Sequence, residues 1–257
     1  MLRFESLTVI RHGESAYNEL REKKKVDPFY TKFLDVYYQR KENSAEVKRV
    51  ALELVDHLKA AVYDNFETPL TDNGKSQAQS TGIQLRQRGE LPDLVVVSPH
   101  VRAIETFDFI KKGWPEIADI PLAEEERIRE QERGLYLNFN DWKIFTVFHP
   151  EQEELMSTQG HYWYRYPQGE NIPDVRLRVG AWITSIIGSQ HKNVLAITHH
   201  IPILSVRANL ENIPWANLME LDRKDTPINC GVTRYSRRND VGELCELSLD
   251  SYNQKLY

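Results

Sequence analysis

Three short apolar runs punctuate the chain: Leu7-Thr8-Val9-Ile10, Leu94-Val95-Val96-Val97 and Asn193-Val194-Leu195-Ala196-Ile197-Thr198. Gly13 follows the first, and Ser98-Pro99 stops the second. None alternates with polar residues. Continuous runs of this length predict strands buried on both faces, as in a largely parallel sheet. Between them the period becomes helical. Asp72 to Arg88 is polar, with Ala78, Ile83 and Leu85 expected inward and Gly89 as the stop. Ile104, Phe107 and Ile110 mark one face from Pro99 to Lys112. Val175, Val179, Trp182, Ile183, Ile186 and Ile187 fall at helical spacing between Pro173 and Gln190. From Gly231 to Leu249, two runs flank Asn239-Asp240 and Gly242, which predicts an antiparallel hairpin at a sheet edge. The fold class expected is α/β, a three-layer sandwich around a mostly parallel sheet with an antiparallel edge.

One stretch breaks this rhythm. Glu19 to Phe66 reads as a helical insertion in an otherwise single domain spanning 1–257. Within it Val47, Val50, Ala51, Leu54, Val55, Leu58, Ala61 and Val62 form an amphipathic pattern, with Ser44 placed to cap it. Upstream, Phe29, Phe33 and Tyr37 repeat every four residues, as do Tyr30, Leu34 and Tyr38. Two uses are open for this segment. The aromatics and Arg21, Lys23, Lys24 and Lys25 form a lid over an anionic substrate, or the aromatics pack on the insertion's own long helix and the lysines are solvated.

Composition narrows the classes. A length of 257 residues, 40% hydrophobic and 28% charged, suits a soluble globular chain. The net charge of -5 supplies no basic field for nucleic acid, so a bound anion needs a local cluster of positive groups. Cys230 and Cys245 do not make a disulfide framework and read as reduced. Arg3 and Glu5 interrupt the start, which has no long apolar run, so neither a signal peptide nor a membrane anchor is expected. The location expected is cytoplasmic. The eight histidines show no metal-ligand spacing, and no metal or cofactor is called for. His199-His200 alone is weak evidence for a metal, because neighbours on a strand point to opposite faces.

The chemistry gathers at the carboxyl ends of the three runs, where open α/β sheets hold their ligands. Arg11-His12-Gly13-Glu14-Ser15 follows the first run. Gly13 permits a sharp turn, and the next helix aims its N-terminal amides at an anion. A neutral His12 there can attack phosphorus while Arg11 neutralises phosphoryl oxygens. After the second run, Ser98 is expected to cap a helix with Pro99 at its first position, which points Arg102 back toward the same edge. A second arginine suits a dianionic phosphoryl group. Thr198-His199-His200 follows the third run. Between them, Arg127-Ile128-Arg129-Glu130-Gln131-Glu132-Arg133 offers acids amid arginines, either of which can serve a leaving alkoxide and then water.

These segments, in this order, resemble the histidine phosphatase superfamily in its phosphoglycerate-mutase-like branch. Arg11 to Asn18 is similar to the signature Arg-His-Gly-Glu-Ser-x-aromatic-Asn, and Leu70-Thr71-Asp72-Asn73-Gly74 with Gln77-Ala78 resembles the next block. The resemblance implies that His12 is phosphorylated, that Arg102 is the second phosphate arginine, that Glu130 and not Glu132 is the acid, and that His199 is the second pocket histidine. Ser15, Asn18 and His200 are carried as substrate-binding candidates. His200 departs from the glycine usual at that position. Gly160 to Asn171, with Asp174-Val175, resembles broad-range phosphatases of the family. The function expected is hydrolysis of phosphate monoesters, with phosphoglycerate mutase as the alternative and an inactive phosphate-binding module behind both. The partner expected is a small phosphorylated metabolite, with neither nucleic acid nor membrane, and a homo-oligomer is compatible with the sequence.

Overall fold

A computed structural model describes residues 4–40, 45–59, 65–89, 91–238 and 244–257. The strands are β1 (Ser6–Arg11), β2 (Leu94–Val97), β3 (Leu122–Glu124), β4 (Asn193–Thr198), β5 (Val232–Arg238) and β6 (Leu244–Gln254). They form one sheet in the order β3-β2-β4-β1-β5-β6. β1, β2, β3 and β4 run parallel, while β5 and β6 add an antiparallel edge. The three apolar runs are the three central strands. Their residues pair Arg11 with Thr198 and Val97 with Ile197, so three loops leave the sheet side by side.

The helices are α1 (Ala16–Lys24), α2 (Pro28–Arg40), α3 (Ala45–Lys59), α4 (Asp72–Arg88), α5 (Val101–Gly113), α6 (Trp142–Phe148), α7 (Glu151–Trp163), α8 (Ile172–Ile187), α9 (His200–Leu210) and α10 (Trp215–Lys224). Strand alternation sorts the core onto two faces. Leu7, Val9, Val194 and Ala196 pack with Val179, Trp182 and Ile203 from α8 and α9. Ile10, Val95, Val97, Leu195 and Ile197 pack with Ala103, Phe107 and Ile110 of α5 and Leu85 of α4. Both faces are covered, which is why these runs do not alternate in sequence.

Ile83, expected inward, is 41% exposed. The inner face of α4 is instead Ala78, Thr81, Gly82 and Leu85. A Cβ on Gly82 would stand 2.4 Å from the Ile110 carbonyl oxygen, so it is the absence of a side chain that brings α4 against α5.

The insertion has a core of its own. Phe33 from α2, with Val47, Val50, Ala51, Leu54, Val55 and Leu58 from α3, packs on Ile144 and Val147 of α6. Of the two uses left open, these aromatics show packing on the insertion's own helix: Phe33 is buried, Tyr37 lies against the same core, and Phe29 stacks on His57 at 4.3 Å. Lys24 is tied down as well, 2.6 Å from Asp141, which also accepts the Tyr30 hydroxyl and caps α6. Lys23 and Lys25 pair with Glu19 and Glu22 on the surface. The expected cap Ser44, the positions Ala61 and Val62, and the hairpin turn at Asn239, Asp240 and Gly242 lie outside the described residues, as does the side chain of Cys245. Cys230 is a buried free thiol, and burial pushes it up to about 12. No helix among the described residues is long and apolar enough to cross a membrane.

Candidate active site

The loops after β1, β2 and β4 bring His12, Arg102 and His199 together. His12 begins a turn that requires glycine next: a Cβ on Gly13 would lie 2.6 Å from the Gly74 carbonyl oxygen. The Gly13 N–H donates to Thr106 Oγ1 at 2.9 Å, and that hydroxyl donates to the Arg102 carbonyl at 2.6 Å, which ties the first loop to α5. Ser15 caps α1 reciprocally with Asn18. Asn229 bridges Asn18 Oδ1 and the His12 carbonyl, each at 3.1 Å. Ser15 and Asn18 thus brace the loop as well as lining the cavity.

The His12 ring has a defined tautomer. Its Nδ1 lies 2.7 Å from the Gly13 carbonyl oxygen, which can only accept, so Nδ1 carries the proton and Nε2 keeps its lone pair. Burial, with Arg102 and Arg11 nearby, holds the ring well below the ordinary histidine range, so it is neutral. Arg11 donates to the Pro227 carbonyl at 2.6 Å. Arg102 donates to the Asn65 carbonyl and, at 3.1 Å, to His100 Nδ1. Burial lowers Arg102 only to about 10, so it stays charged at neutral pH.

Two expectations change at α5. Ser98 does not cap the helix and Pro99 is not its first residue: His100 is the cap, Val101 the first helical residue and Arg102 the second. The Ser98 hydroxyl is instead 2.7 Å from His199 Nε2, whose ring has more need of a buried partner. His199 is fully buried, with its ring centroid 5.1 Å from that of His12 and 4.8 Å from that of His100. Burial and Arg102 depress it well below the ordinary range. Its Nδ1 is buried without a hydrogen-bond partner. His199 and His200 also diverge for a different reason than strand alternation: His199 precedes α9 and His200 is its first residue.

Glu130 faces the start of α9. Its Oε1 accepts from the Gln131 N–H at 2.9 Å and the Ile201 N–H at 3.3 Å, and Oε2 from the His200 N–H at 3.2 Å. Burial raises its pKa, but His200, the Gln131 amide, Arg133 and Arg102 outweigh that and leave it a carboxylate. Glu132 also reaches the cavity, but its Oε1 accepts the Gly134 N–H at 3.0 Å. The His200 ring reaches the cavity and places Nε2 2.6 Å from Asp222 Oδ1.

The cavity encloses about 940 Å³. Arg21, one of the cations of the lid reading, reaches the cavity, and Leu52, Val55, Asn65 and Phe66 of the insertion, with His100 and Arg133, complete walls that the sequence left unassigned. His100 was within reach, since it sits between Ser98 and Arg102; Leu52 had no signal, being one more apolar residue on an amphipathic helix. Among the described residues no group of three or more metal-binding side chains converges.

A parallel-centred sheet carrying a neutral histidine between two arginines is the arrangement of a phosphoryl-handling enzyme. The sequence profile of the histidine phosphatase superfamily (branch 1) matches residues 54–248, and the chain belongs to that family. It is 31% and 30% identical to two phosphoglycerate mutase-like proteins of Arabidopsis thaliana, over 49% and 56% of this chain. Those matches cover 46% and 48% of the relatives, so the chain spans about half the length of the curated proteins it matches. In structure it is similar to the α-ribazole phosphatase of Shigella flexneri, with a TM-score of 0.66 and 17% identity over 97% of this chain and 96% of the other. It is also similar to mycobacterial glucosyl-3-phosphoglycerate phosphatase, with a TM-score of 0.62 and 19% identity over 97% and 99%.

Proposed function

We propose that this chain is a phosphatase that hydrolyses small phosphate monoesters through a phosphohistidine on His12, with Glu130 as general acid and base. The His12 tautomer carries this reading. Because Nδ1 donates to the Gly13 carbonyl, the free lone pair is on Nε2 of a ring kept neutral between Arg11 and Arg102. A bound phosphoryl group brings its negative charge against these arginines and beside Glu130, which raises the carboxylate's proton affinity. Protonated Glu130 then donates to the leaving oxygen as the Nε2–P bond forms and the P–O bond breaks. In the second half, water oxygen bonds to phosphorus, the Nε2–P pair returns to His12, and Glu130 accepts the water proton. Ser15 and Asn18 serve by holding the loop, and His200 stands at the wall beside Glu130.

Hydrolysis is favoured over transfer by the size of the cavity. A mutase must keep its phosphohistidine dry around a small acid, whereas about 940 Å³ lies near the top of the range for small-molecule sites, roughly 300–1,000 Å³. The reading includes one domain with its insertion, acting on a small metabolite in the cytoplasm. Rapid quench with a labelled monoester tests it. Labelled phosphate is expected on His12, with free phosphate matching the alcohol released. His12→Ala should abolish both, a loss of at least about 10³-fold, while His199→Ala should keep slow labelling of His12. Label trapped on His199, or primer-dependent interconversion of phosphoglycerates with little free phosphate, overturns it.

A further inference from the structure

The first turn of α9 treats Glu130 in two separable ways. The main-chain N–H groups of His200 and Ile201 point at its carboxylate, and they would do so whatever side chain stood at position 200. The His200 ring is a distinct element. It lines the cavity, and its Nε2 is 2.6 Å from Asp222 Oδ1 on α10, with side-chain exposures of 21% and 18%. That contact ties the ring to a carboxylate on a neighbouring helix.

We propose that the His200 imidazole, held by Asp222, is a positioning residue that sets the proton affinity of Glu130. Its relevance to turnover rests on Glu130 being the acid–base group of the proposed reaction. Protonated, the ring places a positive charge beside Glu130 with Asp222 as counterion. Neutral, it leaves Glu130 to the helix amides and the arginines. Other charged or titratable groups near Glu130 and Asp222 are Arg102 on α5, His100 before it, Arg133 beyond Glu130, Arg11 at the end of β1, Arg178 on α8, which donates to the Glu130 carbonyl, and Tyr252 on β6. The His200 N–H lies 3.2 Å from Glu130 Oε2, so the ring stands within one side chain's length of that carboxylate. The two halves of the reaction make opposite demands on Glu130. A nearby cation makes it a readier donor to the leaving oxygen and a weaker base toward water. His200 therefore decides how the two halves are balanced.

His200→Asn isolates the ring, because the residue 200 amide and the helix remain. The measurement is a carbon-13 NMR titration of the Glu130 carboxyl in ligand-free protein, its signal assigned by loss in Glu130→Gln. Glu130 is expected to titrate about one pH unit higher in His200→Asn than in the parent chain. In an Asp222→Asn background, where the ring is no longer held, the same substitution is expected to move it less. An unchanged or lower Glu130 titration in His200→Asn overturns the proposal. An equal displacement in both backgrounds overturns the role of Asp222. The titration needs no turnover, so a displaced Glu130 in a protein that forms no phosphohistidine would sink the proposed function and leave this coupling standing.

Discussion

One hydroxyl orients the innermost histidine of the site. Ser98 Oγ meets His199 Nε2 at 2.7 Å, and the His199 ring packs between those of His12 and His100. Removing that hydroxyl leaves a ring nitrogen buried without its partner, which costs about 1–3 kcal/mol. Ser98→Ala is therefore expected to lower the chain's stability by that amount in a denaturant titration. It should also lower kcat more than it raises KM, since the ring it frees packs against that of His12. Unchanged stability would show that His199 finds another partner. The sequence expectation that Ser98 caps α5 had a sound local basis in the Ser-Pro pair. The competitor for its hydroxyl is 101 residues away in the chain. Local pattern cannot show such a contact, although the motif order placed both residues at the same sheet edge.

At the scale of elements, legibility followed the apolar pattern. The runs Leu94–Val97 and Asn193–Thr198 are β2 and β4 to the residue, and Asp72–Arg88 is α4. The short edge strand β3 and helices α6 and α7 gave no comparable signal, because each borrows its stability from a neighbour. For α6 that neighbour is the insertion, whose Phe33 is fully buried against α3 and α6 while Arg21 and Leu52 reach the cavity. These two roles separate by mutation. Phe33→Ala is expected to cost about 3–5 kcal/mol and to reduce activity on every substrate alike. Arg21→Gln and Leu52→Ala should leave stability nearly unchanged and alter the ratios of kcat/KM among monoesters of different size and charge. Constant ratios in both variants would remove the insertion from substrate choice and leave it a purely structural addition.

Across the whole molecule, the concentration of neutral histidines against arginines sets a stability cost in acid. His12 and His199 are held well below the ordinary value of 6.5, and His100 is lowered to about 4. In each case burial is the leading cause, with Arg102 next. Unfolding releases these rings to their ordinary proton affinity. At pH above 6.5 neither state protonates them, and they contribute nothing to the pH dependence. Below 6.5 the unfolded chain binds protons that the folded chain refuses, so stability falls as pH falls. Each such ring contributes a slope of about 1.4 kcal/mol per pH unit once the unfolded chain is fully protonated there. The loss for His100 ends near pH 4, where the folded state also accepts its proton, while His12 and His199 continue the decline. Urea titrations between pH 7 and 4 should therefore show a falling midpoint, steeper than one histidine can give. His100→Asn should flatten the slope between 6.5 and 4. Inorganic phosphate should raise the midpoint, because the site binds the anion only when folded. A midpoint independent of pH across this range would mean that the three rings titrate alike in both states, which would remove the ground for treating His12 as a neutral nucleophile.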